Sequence, residues 1–245
     1  MPRFFVSPDN ISECSLCITG DDARHIARSL RMAVGDSLTV ADGSGTEYDC
    51  SLTKIRDDVC ECAINSARPS LSEPPYRLTL YMAYPKSDKL ETVIQKSVEL
   101  GCAHIVPFES SRCVKRPKAD KAEERTARLC RIAAEAAKQC GRAILPTVAL
   151  PCTFDTAIAD AAKAELAIFC YEGESTRTLK DVLDACDGTP ATVSVIIGSE
   201  GGFSPEEAEA ARAAGLIPTG LGARILRCET APDYCLSALS YRFEL

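Results

Sequence analysis

Ile197-Gly198-Ser199-Glu200-Gly201-Gly202-Phe203-Ser204-Pro205-Glu206-Glu207, followed by Gly220-Leu221-Gly222-Ala223-Arg224-Ile225-Leu226-Arg227-Cys228-Glu229-Thr230-Ala231-Pro232, decides how this chain folds. It reads as an apolar strand entering a glycine turn, then a capped helix, a second strand, a second glycine turn and a last helix. Glycine at a strand exit lets backbone approach a ligand closely, because no side chain intervenes. Ser204 is a helix cap, Pro205 sits in the first turn, and Glu207 lies three residues after the cap. Thr230-Ala231-Pro232-Asp233 repeats that logic. A nucleotide-like cofactor site at the carboxyl end of a sheet, late in the chain, is the first expectation.

Upstream of that stretch, strands and helices alternate. Leu78–Tyr84, His104–Phe108, Leu166–Cys170 and Thr192–Ile197 are apolar enough to be strands covered on both faces. Lys86–Leu100 is predicted helical, with Leu90, Val93, Ile94, Ser97 and Val98 on one face and Gly101 as its stop. Lys121–Gln139 is a second helix, and another lies near Leu179–Ala185. Such alternation means a parallel sheet with helices on both sides, an α/β fold. Before Leu71-Ser72-Glu73-Pro74-Pro75 the pattern differs. Ser37–Val40 and Tyr48–Leu52 flank a turn with two glycines, Glu61–Ile64 is a further strand, and Asp21–Arg31 reads as a short helix. The expected division is a small β-rich domain over residues 1–72 and an α/β domain over 73–245.

With 245 residues, a 46% apolar share and 26% charged residues, the chain can bury a sizeable core without disulfides. No stretch approaches the roughly 20 apolar residues of a membrane span, and the N-terminus lacks a secretory core, so a cytoplasmic location is expected. The 14 cysteines are scattered through strands and helices and read as small buried hydrophobes. Cys14-x-x-Cys17 and Cys60-x-Cys62 lie in no zinc knuckle, and no metal is expected. The net charge is −7, yet ten basic residues between Arg112 and Arg142 face four acids, a local excess of six. Arg24, His25, Arg28 and Arg31 form a second cluster. Basic patches on an acidic chain suit a protein that meets phosphates on one face.

Gly198-x-x-Gly201-Gly202 is neither the dinucleotide fingerprint nor the lysine-bearing phosphate loop. It offers no lysine to phosphate, and Glu200 would repel one. A cationic or zwitterionic ligand fits better, and S-adenosylmethionine, with a sulfonium that a carboxylate tolerates, meets that description. Lys86, Lys89 and Lys96 on one helix suit a solvated face as well as they suit a site. His25 and His104 are given no catalytic role.

Five ordered motifs carry a resemblance. They are Lys86-x-x-Lys89, Gln95-Lys96-x-x-Glu99-Leu100-Gly101, Glu135-Ala136-Ala137-x-Gln139-x-Gly141-Arg142, Ile197-Gly198-x-Glu200-Gly201-Gly202-Phe203 and Leu221-Gly222-x-Arg224-Ile225-Leu226-Arg227-x-Glu229-Thr230-Ala231. Together they resemble the bacterial small-subunit ribosomal RNA uridine-N3 methyltransferases of the SPOUT class. The Pro2-Arg3-Phe4-Phe5 opening agrees; Ser199 and Cys228 depart from the residues usual there, proline and threonine.

The resemblance implies a SPOUT-type sheet with a C-terminal trefoil knot, preceded by a PUA-like β-barrel that grips RNA, in a chain that pairs as a homodimer through the knot region. S-adenosylmethionine would lie against Ile197, Gly198, Glu200, Gly201, Gly202, Leu221, Gly222, Ile225 and Leu226. Its methyl group would pass to N3 of an unpaired or extruded uridine. The uridine imide must lose its proton before nitrogen attacks well. Arg227 or Arg224 would stabilise the anion, and Glu200 or Glu229 would accept the proton or orient an arginine. Arg3, Arg24, Arg28, Arg31, Arg112, Arg116, Arg131 and Arg142 are the expected RNA contacts. A SPOUT enzyme acting elsewhere on RNA, such as a ribose 2′-hydroxyl, and a non-catalytic RNA-binding assembly factor stand as alternatives. Tyr234 and Phe243 are expected as core or dimer contacts.

Overall fold

The computed structural model describes residues 1–56, 58–86, 89–114, 119–173 and 176–245. The chain divides into two compact units, Met1–Glu73 with Ala137–Leu145, and Pro74–Ala136 with Pro146–Leu245.

In the first unit, β1 (Arg3–Phe5), β2 (Ser15–Thr19), β3 (Ser37–Ala41), β4 (Thr46–Ile55) and β5 (Val59–Pro69) form one sheet in the order β1-β3-β4-β5-β2. All neighbours run antiparallel except β1 beside β3. Irregularities at Asp49/Cys50 and Leu52/Lys54 increase its bend. The β3–β4 turn closes because the Asp42 carboxylate accepts the N–H groups of Ser44, Gly45 and Thr46, while Gly43 and Gly45 take φ of 79° and 116°. Leu16, Ile18, Ile26, Leu38 and Leu52 fill the core together with Cys60 and Cys62. Burial, and then the neighbouring thiols, push the Cys62 thiol up to about 12, so it packs as an apolar group. Cys14 is exposed, and no group of three or more metal-ligating side chains occurs among the described residues.

The helix expected over Asp21–Arg31 is shorter and of two kinds. α1 (Gly20–Arg24) gives way to a π-helical turn over His25–Ser29, closed by a bond from Leu30 N–H to the His25 carbonyl at 2.9 Å. Ala23 and Ile26 are both fully buried there. Arg31 then takes φ 51°, the left-handed conformation that glycine usually supplies after a helix.

After β5 the chain continues with β6 (Arg77–Ala83), α2 (Lys89–Glu99), β7 (His104–Glu109), α3 (Ala122–Cys140), β8 (Thr147–Val148), β9 (Cys152–Thr153) and α4 (Phe154–Ala161). β10 (Leu166–Cys170), β11 (Arg177–Thr178), α5 (Leu179–Asp184), β12 (Thr192–Ile197), α6 (Pro205–Ala213), β13 (Ile217–Gly220) and α7 (Thr230–Phe243) follow. The sheet order is β11-β13-β10-β12-β6-β7-β8, with β9 also on β7, and every pair is parallel. The α/β expectation therefore holds: the strands are apolar runs that the flanking helices bury. β8, β9 and β11 have two residues each, too few to show a pattern in sequence. α2 stops at Gly101, whose φ is 89° and where a Cβ would lie 2.5 Å from Pro74 Cγ.

One topological step positions the site. β12 inserts between β10 and β6, whereas β13, next in the chain, crosses to the other side of β10. The carboxyl ends of β10, β12 and β13 thus lie side by side at a point where the strand order reverses, where open α/β sheets bind ligands. Phe243 packs edge-on against Tyr76, with ring centroids 5.9 Å apart, which makes it a core residue. No described helix is long and apolar enough to cross a membrane.

Candidate active site

A cavity of about 570 Å³ opens at those three strand ends. Its floor is the loop that leaves β12. Gly202 takes φ 64°, and its N–H returns to the Ser199 carbonyl at 2.9 Å, so the loop is a tight turn. Phe203 anchors it. The ring is buried 4.5 Å from the Phe169 centroid and lies parallel to Phe108 at 6.3 Å. A Cβ at Gly198 would stand 3.1 Å from that ring and 3.2 Å from Gly202 Cα, so a larger residue there would press on both the turn and its anchor. At Gly201 a Cβ would meet Arg112 Cβ at 3.0 Å and its carbonyl oxygen at 3.2 Å.

Arg112 is stitched to this loop from both ends. Its guanidinium donates to the Gly201 carbonyl at 3.1 Å, and its own carbonyl accepts from Ser199 Oγ at 3.4 Å. Downstream, Ser204 and Glu207 form the capping box that the sequence signals, and it starts α6.

The second wall is the loop from Leu221 to Cys228, and the third is Cys170-Tyr171-Glu172 at the end of β10. Gly222 takes φ 107° with nothing within 4 Å of a notional Cβ, so its backbone conformation is what demands glycine. The loop ends where the N–H groups of Thr230 and Ala231 both reach the Arg227 carbonyl, at 2.8 and 2.9 Å, and α7 begins. Ile225 lines the cavity yet is 85% exposed, an apolar side chain at the rim.

Electrostatics converge on Lys89, the first residue of α2. Its ammonium lies 3.2 Å from Glu200 Oε1 and 3.1 Å from Glu229 Oε2. Glu200 also accepts the N–H of Lys86 at 3.1 Å. Partial burial opposes ionisation of both carboxylates. For Glu200 the backbone N–H groups and Lys89 outweigh it; for Glu229 its own backbone N–H, the Cys228 thiol and Lys89 do so. Both stand below the usual carboxylate range, and the two carboxylates, Glu229 first, raise Lys89. Cys228 Sγ, 3.2 Å from Glu229 Oε2, is pushed up to about 12 by burial and by that hydrogen bond, and stays a thiol.

Of the residues expected around the cofactor, Ile197, Gly198, Glu200, Gly201, Gly202, Leu221, Ile225 and Leu226 line this one cavity. Gly222 shapes the loop beside it. Among the expected catalytic residues, Glu200 and Arg227 line it, Glu229 reaches it through Lys89, and Arg224 is exposed outside the lining. Both carboxylates pair with Lys89.

The expected RNA contacts scatter. Arg112 lines the cavity itself. Arg24, Arg28, Arg31 and Arg131 are exposed, and Arg24 pairs with Asp21. Arg3 is half-buried and paired with Glu47 at 3.0 Å. Arg142 is corrected outright. It is 3% exposed and grips Glu73 through Nε and Nη2 at 3.0 and 2.7 Å, so its charge is spent on the fold. Arg116 lies outside the described residues. Lys89, Arg112 as a cavity residue, Tyr171, Thr219 and Cys228 were missed. Lys89 carried a signal in Lys86-x-x-Lys89, but a lysine held by two carboxylates reads in sequence like any solvated one.

Residues 72–240 match a family described as an RNA methyltransferase domain, and residues 18–64 match an RNA methyltransferase PUA domain. Ribosomal RNA small subunit methyltransferase E of Bacillus subtilis is 32% identical over 251 residues, covering 100% of this chain and 98% of that protein. The crystal structure of ribosomal RNA small subunit methyltransferase E from Neisseria gonorrhoeae, bound to S-adenosylmethionine, is similar at a TM-score of 0.85 and 27% identity. That likeness covers 99% of this chain and 98% of the other. A Legionella pneumophila protein in complex with the same cofactor has a TM-score of 0.84 and 30% identity, over 98% of this chain and 96% of its own.

Proposed function

The chain belongs to the RNA methyltransferase family, and from that premise we propose that it methylates N3 of one uridine in small-subunit ribosomal RNA with S-adenosylmethionine as donor. One observation carries the reading: both glycine loops, separated in sequence by α6 and β13, meet at a single cavity beside a carboxylate pair.

The residues fit the donor. A volume of about 570 Å³ suits a ligand of this size. Ile197, Leu221, Ile225 and Leu226 offer an apolar slot for adenosine, and the glycines leave backbone groups open to it. Lys89, Glu200 and Glu229 together carry a net charge of −1, which suits a cationic ligand and would repel phosphate. When bound, S-adenosylmethionine supplies an electrophilic methyl group on a sulfonium.

The chain's own task is to place and acidify the base. Arg227, at the cavity edge without a carboxylate partner among the described residues, meets a uracil oxygen and stabilises the imide anion. That assistance is needed because Glu200 and Glu229, held below their ordinary pKa, are weak bases. Either one takes the proton only after the arginine has acidified it. Arg112, bound to the Gly201 carbonyl, leads the RNA toward the same mouth.

We assign RNA gripping to residues 1–72, where Arg24, Arg28 and Arg31 are exposed, and methyl transfer to residues 73–245, with the knot that the resemblance implies; action on ribosomal RNA fits a cytoplasmic location. Pairing of two chains through α7 is supported by Tyr234 and Tyr241, exposed two helical turns apart on that helix. The deciding experiment incubates the protein with labelled S-adenosylmethionine and small ribosomal subunits from cells lacking the activity, then digests the RNA to nucleosides. The expected product is 3-methyluridine from one position. A 2′-O-methylated nucleoside, or no transfer, overturns the proposal.

A further inference from the structure

Lys89 touches both halves of the cavity wall. Glu200 belongs to the loop after β12 and Glu229 to the end of the loop after β13, and no other cation is paired with both among the described residues. Without an ammonium between them, two carboxylates gathered at one point would repel each other and favour separation of the loops that carry them. Lys89 is suited to hold both because it opens α2, whose Leu90, Val93 and Ile94 are fully buried and fix the helix against the core. Its stem therefore starts from a rigid point.

We propose that Lys89 is a positioning residue that clasps the two glycine loops into the conformation that binds the methyl donor, a role that rests on the proposed function and goes beyond it. The clasp makes a prediction of sign. Removing Lys89 leaves a net charge of −2 facing a cationic donor, so a purely electrostatic role would tighten donor binding. A clasp predicts the reverse, because the loops separate and the cavity loses its walls.

The test is calorimetric titration of the full chain with S-adenosylmethionine. For Lys89→Met, which keeps most of the stem and loses the charge, Kd is expected to rise roughly tenfold, as two partly exposed ion pairs support. Lys89→Arg restores most of the affinity. Glu229→Gln, which releases one arm, weakens binding by a smaller factor and adds little when combined with Lys89→Met. Thermal melting without donor checks the fold; if Lys89→Met melts far below the parent, Lys89→Gln, which also loses the charge, decides. Unchanged or tighter binding in the deciding variant overturns the clasp. Failure of the unaltered protein to bind the donor overturns the proposed function, and the clasp with it.

Discussion

Glu207 accepts the backbone N–H of Ser111 at 2.6 Å, across 96 positions of sequence. Its other oxygen closes the capping box on Ser204 at 2.9 Å. One buried carboxylate thus starts α6 and holds the segment carrying Arg112 against the cavity loop. Glu207→Ala is expected to cost about 2 kcal/mol, since it removes the capping box and the charge-assisted bond from Ser111 N–H. Melting should fall by roughly 4–8 °C. A scanning melt that stays at the parent value would deny the tie.

Gly201→Val should weaken donor binding while leaving the fold intact. The first atom of the new side chain would lie 3.0 Å from Arg112 Cβ and 3.2 Å from its carbonyl oxygen. The loop must shift, and the cavity it floors shifts with it. Calorimetry with S-adenosylmethionine should show at least a tenfold loss of affinity, on the order of what a displaced wall costs. Retained affinity would mean that the loop is not the floor.

Arg227 and Arg142 should behave as opposites. Arg227→Ala is expected to lower kcat by about 10²–10³, the scale of losing one anion-stabilising donor, with no change in melting. Arg142→Ala breaks a buried pair with Glu73 and should cost about 3 kcal/mol. Parallel melts and single-turnover rates read both effects. Equal rates for Arg227→Ala and its parent would remove that arginine from the chemistry.

The clasp has a pH window with two edges. Glu200 and Glu229 have folded pKa values below the ordinary 4.5, so their stabilisation is complete above that value and is lost as pH falls through the lowered ones. Lys89 is raised above 10.5, so its contribution is complete below that value and disappears as pH climbs through the raised one. The difference in melting temperature between the parent and Glu200→Gln should therefore be flat between about pH 5 and 10 and shrink in acid. A difference that grows below pH 4 contradicts the assignment.

Thiol chemistry should follow burial. Cys50, Cys62 and Cys228 are pushed up to about 11, 12 and 12, chiefly by burial, whereas Cys14 is exposed. Iodoacetamide at neutral pH, mapped by peptide mass, is expected to label Cys14 first and to spare those three until the protein unfolds. Early labelling of Cys228 would show that the cavity thiol is reactive.

The glycine turns, the capping box, the apolar strands and the stop at Gly101 were legible in sequence because each is a local event. A cap spans four residues, and a strand declares itself in five or six. The short strands β8, β9 and β11 and the π-helical turn at His25–Ser29 were not, since two residues carry no period and the turn is selected by what Ala23 and Ile26 must bury.

Charge was the least readable property. Arg142, Arg112 and Lys89 look alike as letters, yet one is buried against Glu73, one is bonded to a loop carbonyl, and one bridges two carboxylates more than a hundred positions away. Sequence by itself determined the alternation of elements, the two glycine loops and the charge available to them, because backbone preference and apolar periodicity act between near neighbours. Only the tertiary structure decided which charges meet, because the crossover of β12 and β13 about β10 brings distant loops to one cavity, and solvent is excluded by the whole fold.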